Sequence, residues 1–228
     1  MDTVGMDTVL GVDACRAGWV GIAWSSAGVR PYLARTIAEL AEQVGEVAVM
    51  AIDMPIGLPD AGRRQADVLA RDLIRPRQSS VFMTPVRAAL HEPSHGRANA
   101  VQRVHAGEGM SIQAFGLLPK IREVDEWLPT ARCRVVEAHP EVSFAQLAGE
   151  PLTVSKKTWA GAELRRNLLA DVGITLTGTL GAAGLAAVDD ILDAAAVAWT
   201  ARRVHLGTAI SVPDPPERFY GIAAAIWR

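Results

Sequence analysis

Two cysteines, Cys15 and Cys133, are all that the 228 residues contain. That number is too small for a disulfide framework or an all-cysteine zinc site, and it suits a reducing cytoplasm. Charge of one sign is equally scarce. The 23 basic residues face 25 acidic ones, a formal net charge of -2, so no global positive field advertises nucleic-acid binding. Only three of the basic residues are lysines, a bias that genome composition produces as readily as phosphate binding does. Apolar runs stop short of the ~20 residues that a membrane-spanning helix needs. Asp2 and Asp7 stand where a secretion signal would carry a basic region. Secretion and a membrane partner are therefore not expected, and a cytoplasmic location is. No polar low-complexity tract suggests global disorder, and 20 glycines with 13 prolines are too few and too aperiodic for collagen. The tetrad MDTV at Met1–Val4 recurs at Met6–Val9, too short for a structural repeat, and leaves either methionine as the start.

What is present is material for a core. Half of the residues are hydrophobic, and at this size roughly 70% of the unfolded surface is expected to be buried. Thr8 to Cys15 and Trp19 to Trp24 read as a hairpin, Val29 to Leu33 as a third strand, and Thr36 followed by Glu39 as a helix start. Val47 to Ile52 is the clearest buried strand and stops at Asp53. Strands, helix and strand in that order suit an α/β fold, a mixed sheet with helical cover. From Gly57 to Leu128 the texture is that of helices, with faces at Ala66, Leu69, Ala70 and Leu73 and again at Phe115, Leu118, Ile121, Val124 and Leu128. Arg75 to Pro85 is too irregular for a helix and is expected to be a loop beside the sheet. Arg134 to Ala138 reads as a strand, Val142 to Gly149 and Thr158 to Val172 as helices, and Ala187 to Val204 as a long helix whose alanines permit close packing. Val212 to Glu217 reads as a proline-rich loop and Tyr220 to Trp227 as a short terminal strand.

Acids stand at the ends of these elements. Asp13, Asp53 and Glu137 end three strands, and Asp189, Asp190 and Asp193 open the long helix at spacings that share a helical face. If the three strands are neighbours, the carboxylates converge at one sheet edge, an all-oxygen cluster suited to Mg²⁺ or Mn²⁺. Helix-start aspartates also cap helices, which accounts for Asp189 more readily than for Asp190 or Asp193. Asp13 and Asp53 have an alternative reading as turn residues.

Six ordered segments carry a family resemblance: GVDACRAGW from Gly11, AIDMPIGLP from Ala51, SSVFMTPVRAAL from Ser79, EAHPEVSF from Glu137, SKKTWAG from Ser155 and DDILDAAAVAWTA from Asp189. Together they resemble the DUF429 family over nearly the whole chain. That resemblance implies a nuclease of the ribonuclease H-like superfamily: a single domain over 1–228, with a mixed sheet of about five strands, flanking helices, and a helical insertion at about 57–130. It also implies an antiparallel arrangement of the first three strands. By the same similarity Asp13 is the central acid of the first strand, Asp53 the acid ending the fourth, and Asp190 or Asp193 the acid of the last helix. Glu137 is an added candidate from the family's own EAHPE segment. Ala14 stands where the usual motif has glycine, so the turn there need not require glycine's special dihedrals.

Several residues are candidates for holding substrate. Arg16 either contacts a phosphate or pairs with Asp13. Arg75, Arg77 and Arg87 flank Ser79 and Ser80 and either bind phosphate or belong to a solvated loop. His139 is a general base, a substrate contact or a support. Lys156 and Lys157 are better substrate candidates than Arg165 and Arg166, although all four also read as surface charges flanking a helix. The glycines form neither a Walker A loop nor a dinucleotide fingerprint. The expected function is a divalent-metal phosphodiester hydrolase acting on structured nucleic acid, with two ions roughly 3.5 to 4 Å apart activating water and stabilising the leaving oxygen. A noncatalytic module holding a metal, nucleotide or phosphorylated ligand is the alternative, and a phosphotransferase is a third reading. Homo-oligomerisation is left open by the sequence.

Overall fold

The computed structural model describes residues 7–228, so most of the duplicated MDTV start lies outside the described residues. The first three strands, β1 (Val9–Cys15), β2 (Gly18–Ser25) and β3 (Gly28–Ala34), pair antiparallel in succession. Helix α1 (Ile37–Val44) then crosses to β4 (Val49–Ile52), which runs parallel to β1. The Thr36 hydroxyl accepts from the Glu39 N–H at 3.1 Å, the N-cap bond expected of that pair of residues. Next come the helices α2 (Gln65–Leu73), α3 (His95–Ala106) and α4 (Ile112–Trp127), inserted before β5 (Arg134–Ala138), itself parallel to β4. After α5 (Pro140–Ala148), α6 (Trp159–Asp171) and α7 (Val188–His205), the chain returns as β6 (Ser211–Phe219) and β7 (Ile222–Trp227). The sheet order is β3-β2-β1-β4-β5-β7-β6. Among the described residues no helix is long and apolar enough to cross a membrane.

Two expectations need correction. The sheet has seven strands, not about five, and the segment Val212 to Glu217 is part of β6, not a loop. Its prolines are tolerated because β6 is the outermost strand and its pairing with β7 shifts register between Val212 and Glu217, where proline's missing N–H interrupts no regular ladder. The first helix of the insertion begins at Gln65, which leaves Arg64 at its N-cap position.

Side-chain alternation along β1 sorts the core into two faces. Leu10 and Val12, with Met50 and Ile52 of β4, pack under the inserted helices against Leu118, Ile121 and Val124. Val9, with Val49 and Ala51, packs on the opposite face against Val197 and Ala201 of α7. Gly11 shares that second face, and a Cβ there would sit 2.1 Å from both the Ala194 carbonyl oxygen and the Ala198 nitrogen. Glycine in β1 and buried alanines in α7 thus let helix and sheet approach backbone to backbone. Asp13 lies two residues beyond Gly11 on the same face, and Asp193 adjoins Ala194, so the close approach also brings these acids together. Gly11→Ala should force α7 outward and cost more than about 2 kcal/mol. Thermal melts of the two proteins measure that loss.

Candidate metal centre

Asp13, Asp53 and Asp193 form a buried cluster in which one carboxylate oxygen from each lies within 4.8 Å of the others. Asp13 comes from the C-terminal end of β1. Asp53 follows β4, tied to β1 by its N–H donating to the Val12 carbonyl at 2.9 Å. Asp193 sits in the second turn of α7 with 1% of its surface exposed. Both strands are parallel and both acids lie on the α7 face, so the pleat and the Gly11 contact together account for the convergence. Ala14 is extended within β1, consistent with a first-strand motif that does not need glycine here.

The cluster is costly when ionised. Burial pushes the Asp13 carboxyl well above the usual carboxylate range, with Asp53, Asp193 and Asp190 adding to the rise and Lys156 opposing it. Burial likewise lifts Asp53 and Asp193 to about 7, against the pull of the Lys156 ammonium. Lys156 ion-pairs with Oδ2 of Asp193. The other oxygen, Oδ1, is buried with no hydrogen-bond partner. An unpaired buried carboxylate oxygen among two further carboxylates is the donor set of a hard divalent cation such as Mg²⁺ or Mn²⁺. With one oxygen of each within 4.8 Å of the other two, the three carboxylates form a cluster capable of coordinating a divalent ion.

The three aspartates open onto a cleft of about 440 Å³ between the sheet's edge and the insertion, which Ser79, Ser80, Phe82 and Gln113 also line. A family model described as a protein of unknown function, DUF429, matches residues 11–218. The chain belongs to the DUF429 family. No curated protein and no solved structure matches it.

The remaining acids of this DUF429 chain lie around the cluster and not in it. Glu137 lines the cleft, but both its oxygens accept from Arg64, at 2.7 and 2.8 Å, and Oε2 also accepts from the Ile56 N–H at 2.7 Å. Burial raises its carboxyl even so, with the Arg64 guanidinium pulling it down. Its register partner is Ile52, on the face under the insertion, so the pleat turns Glu137 away from α7. Asp190 is half-buried on the cleft wall, its carboxyl raised by burial and then by Asp189.

The expected anion-binding residues scatter. Ser79, Ser80, His139 and Lys156 line the cleft. Arg16 is exposed in the β1–β2 turn. Arg75 pairs with Asp72 at 2.7 Å, Arg77 donates to the Thr153 carbonyl at 3.0 Å, and Arg87 holds Asp125 through two bonds of 2.8 and 2.9 Å. Lys157 is exposed. His139 contacts the Ser80 carbonyl through Nε2 at 3.3 Å, which makes Nε2 the donor and leaves the buried Nδ1 without a partner. Burial holds the His139 ring below its ordinary pKa, so it is neutral at pH 7 and Nδ1 is free to accept. Arg165 is a correction: it is not a surface charge but fully buried, with Nη2 donating to both oxygens of Glu141 at 2.8 and 3.0 Å.

Sequence reasoning missed Arg64 and Asp67 entirely. Arg64 is fully buried and also donates to Asp67 Oδ1 at 2.5 Å and to the Ile56 carbonyl at 3.0 Å. Asp67 in turn accepts from the Thr84 N–H at 2.8 Å and the Thr84 hydroxyl at 3.1 Å. This network ties the insertion to β5 and to the loop after Asp53. Its only trace in the sequence is an Arg and an Asp three apart on a helix start, a spacing common on solvated helices.

Proposed function

We propose that the chain is a divalent-metal-dependent phosphodiester hydrolase of ribonuclease H-like build, acting on nucleic acid. The observation that carries the reading is the buried triad of Asp13, Asp53 and Asp193 with an unpartnered oxygen on Asp193. Three antiparallel strands followed by two parallel ones, with an acid on the first, on the fourth and on the closing helix, support the ribonuclease H-like assignment. A bound divalent ion would lower the pKa of a water and polarise a phosphoryl oxygen. The triad would hold that ion, and Asp190 on the cleft wall would add a further carboxylate beside it. Lys156 neutralises part of the triad. His139, which lines the cleft with a neutral ring and an unpaired Nδ1, is the proton acceptor of this reading. Ser79 and Ser80, which line the same cleft, would supply hydroxyl donors for phosphate oxygens.

The test is hydrolysis by the purified chain with Mg²⁺ or Mn²⁺ against a panel of single-stranded, duplex and branched DNA and RNA. Metal-dependent cleavage that falls at least about 100-fold in Asp53→Asn is the expected result. Ligand binding without turnover across the panel would replace the hydrolase by a noncatalytic module built on the same acids.

A further inference from the structure

We propose that Lys156 is the second cation of this centre: its ammonium holds the place that a second divalent ion would take, so the chain binds one divalent ion per site. The proposal rests on the metal reading above. Lys156 forms its ion pair with Asp193 Oδ2 inside the cleft, where 1% of the Asp193 side chain is exposed. That pairing leaves Oδ1 as the Asp193 oxygen open to a metal. Three ionised aspartates and one ammonium carry two net negative charges, the charge of one divalent ion. A pair of divalent ions beside a retained ammonium would leave two net positive charges on the cluster, against one where the ammonium is absent. Among the described residues no other lysine or arginine of the cleft competes for the role: Arg64 spends its guanidinium on Glu137 and Asp67.

The lysine is seated by its surroundings. The loop carrying it lies against the first turn of α6 so closely that a Cβ at Gly161 would fall 1.9 Å from the Ser155 carbonyl oxygen. The Thr158 hydroxyl donates to that same carbonyl at 2.8 Å and accepts from the Gly161 N–H at 3.1 Å. One residue before Ser155, the Val154 carbonyl accepts from Arg165 Nη1 at 3.2 Å, and Arg165 is itself fixed by Glu141. These bonds hold the backbone on both sides of Lys156, so its ammonium is directed at the triad by a braced loop. The same bracing gives a physical reason for the SKKTWAG segment: Thr158 and Gly161 seat the loop, and Lys156 is what the loop delivers.

The experiment is a Mn²⁺ titration, read by the free-Mn²⁺ electron paramagnetic resonance signal, on wild type, Lys156→Arg and Lys156→Ala. One ion per chain is expected for wild type and for Lys156→Arg, which keeps the charge. Lys156→Ala should take up two ions, the first at least about 10-fold more tightly than wild type. Two ions bound by wild type would overturn the proposal while leaving the metal reading intact, and so would an Lys156→Ala titration identical to wild type. Absence of any Mn²⁺ binding by wild type would overturn both. The wild-type stoichiometry decides the matter even where Lys156→Ala does not fold.

Discussion

Arg64→Ala should destabilise the protein by about 3 to 5 kcal/mol, because it strands two acids that form no other ion pair among the described residues. Glu137 and Asp67 are both buried, and Arg64 is the guanidinium that each of them pairs with. At this chain length each kcal/mol moves the melting temperature by roughly 2 to 4 °C, so a fall of roughly 6 to 20 °C is expected. Thermal unfolding measured by circular dichroism checks it. Arg64→Met combined with Glu137→Gln should lose less, since one of the two naked charges is removed along with its partner. A loss under about 1 kcal/mol for Arg64→Ala would mean that water reaches the network and that it does not bind the insertion to the sheet.

The second large effect is a trade between stability and metal binding. Asp13, Asp53 and Asp193 have folded pKa values raised by burial, the last two to about 7, so between about pH 4 and pH 7 the metal-free native state binds more protons than the unfolded chain does. The contribution of Asp53 and Asp193 to stability is therefore fully present below about pH 4 and is lost as pH rises through about 7, and the raised Asp13 carboxyl contributes with the same sign. Lys156 does not change this window: burial works against its charge, but Asp193, Asp53 and Asp13 outweigh that and keep it protonated throughout. Asp13→Asn should accordingly raise the stability of the metal-free protein at pH 8 by about 1 to 3 kcal/mol, and by nothing measurable at pH 4, where the aspartate is itself neutral. The Ala14 N–H donates to Asp13 Oδ1 at 2.7 Å, a bond that asparagine retains, so the gain is not offset by a lost contact. Melts of the two proteins at pH 4, 6 and 8 in the presence of a chelator read this directly. A variant less stable than wild type at pH 8 would show that the triad is not under electrostatic strain.

Glu137 shows where the sequence stopped being informative. Its place at the end of a strand, like those of Asp13 and Asp53, was legible, and the three strands are indeed parallel neighbours. Which face of the pleat each acid occupies depends on pairing register, and the register places Glu137 opposite Ile52, one residue short of Asp53. One residue reverses the face. Asp193 was legible for a local reason, being too deep in α7 to serve as a cap. The buried Arg64 was not, because an arginine beside Arg63 and Gln65 looks solvated until the fold supplies Glu137 from 73 residues away. The same holds for Arg165, whose partner Glu141 lies on another helix. Arg75 and Arg87 read equally well as phosphate ligands and as surface charges, and the fold gives them Asp72 and Asp125 instead. The proline-rich β6 was misread because edge position, which makes those prolines harmless, is a property of the whole sheet.

The metal centre itself is tested most directly by calorimetric titration of Mn²⁺ into wild type and into Asp13→Asn, Asp53→Asn and Asp193→Asn at pH 8, above the value of about 7 to which burial lifts Asp53 and Asp193. The arrangement of the three carboxylates predicts saturable binding by wild type and an affinity at least about 100-fold weaker in each variant. Equal affinity in wild type and all three variants, or no binding by wild type, would contradict it.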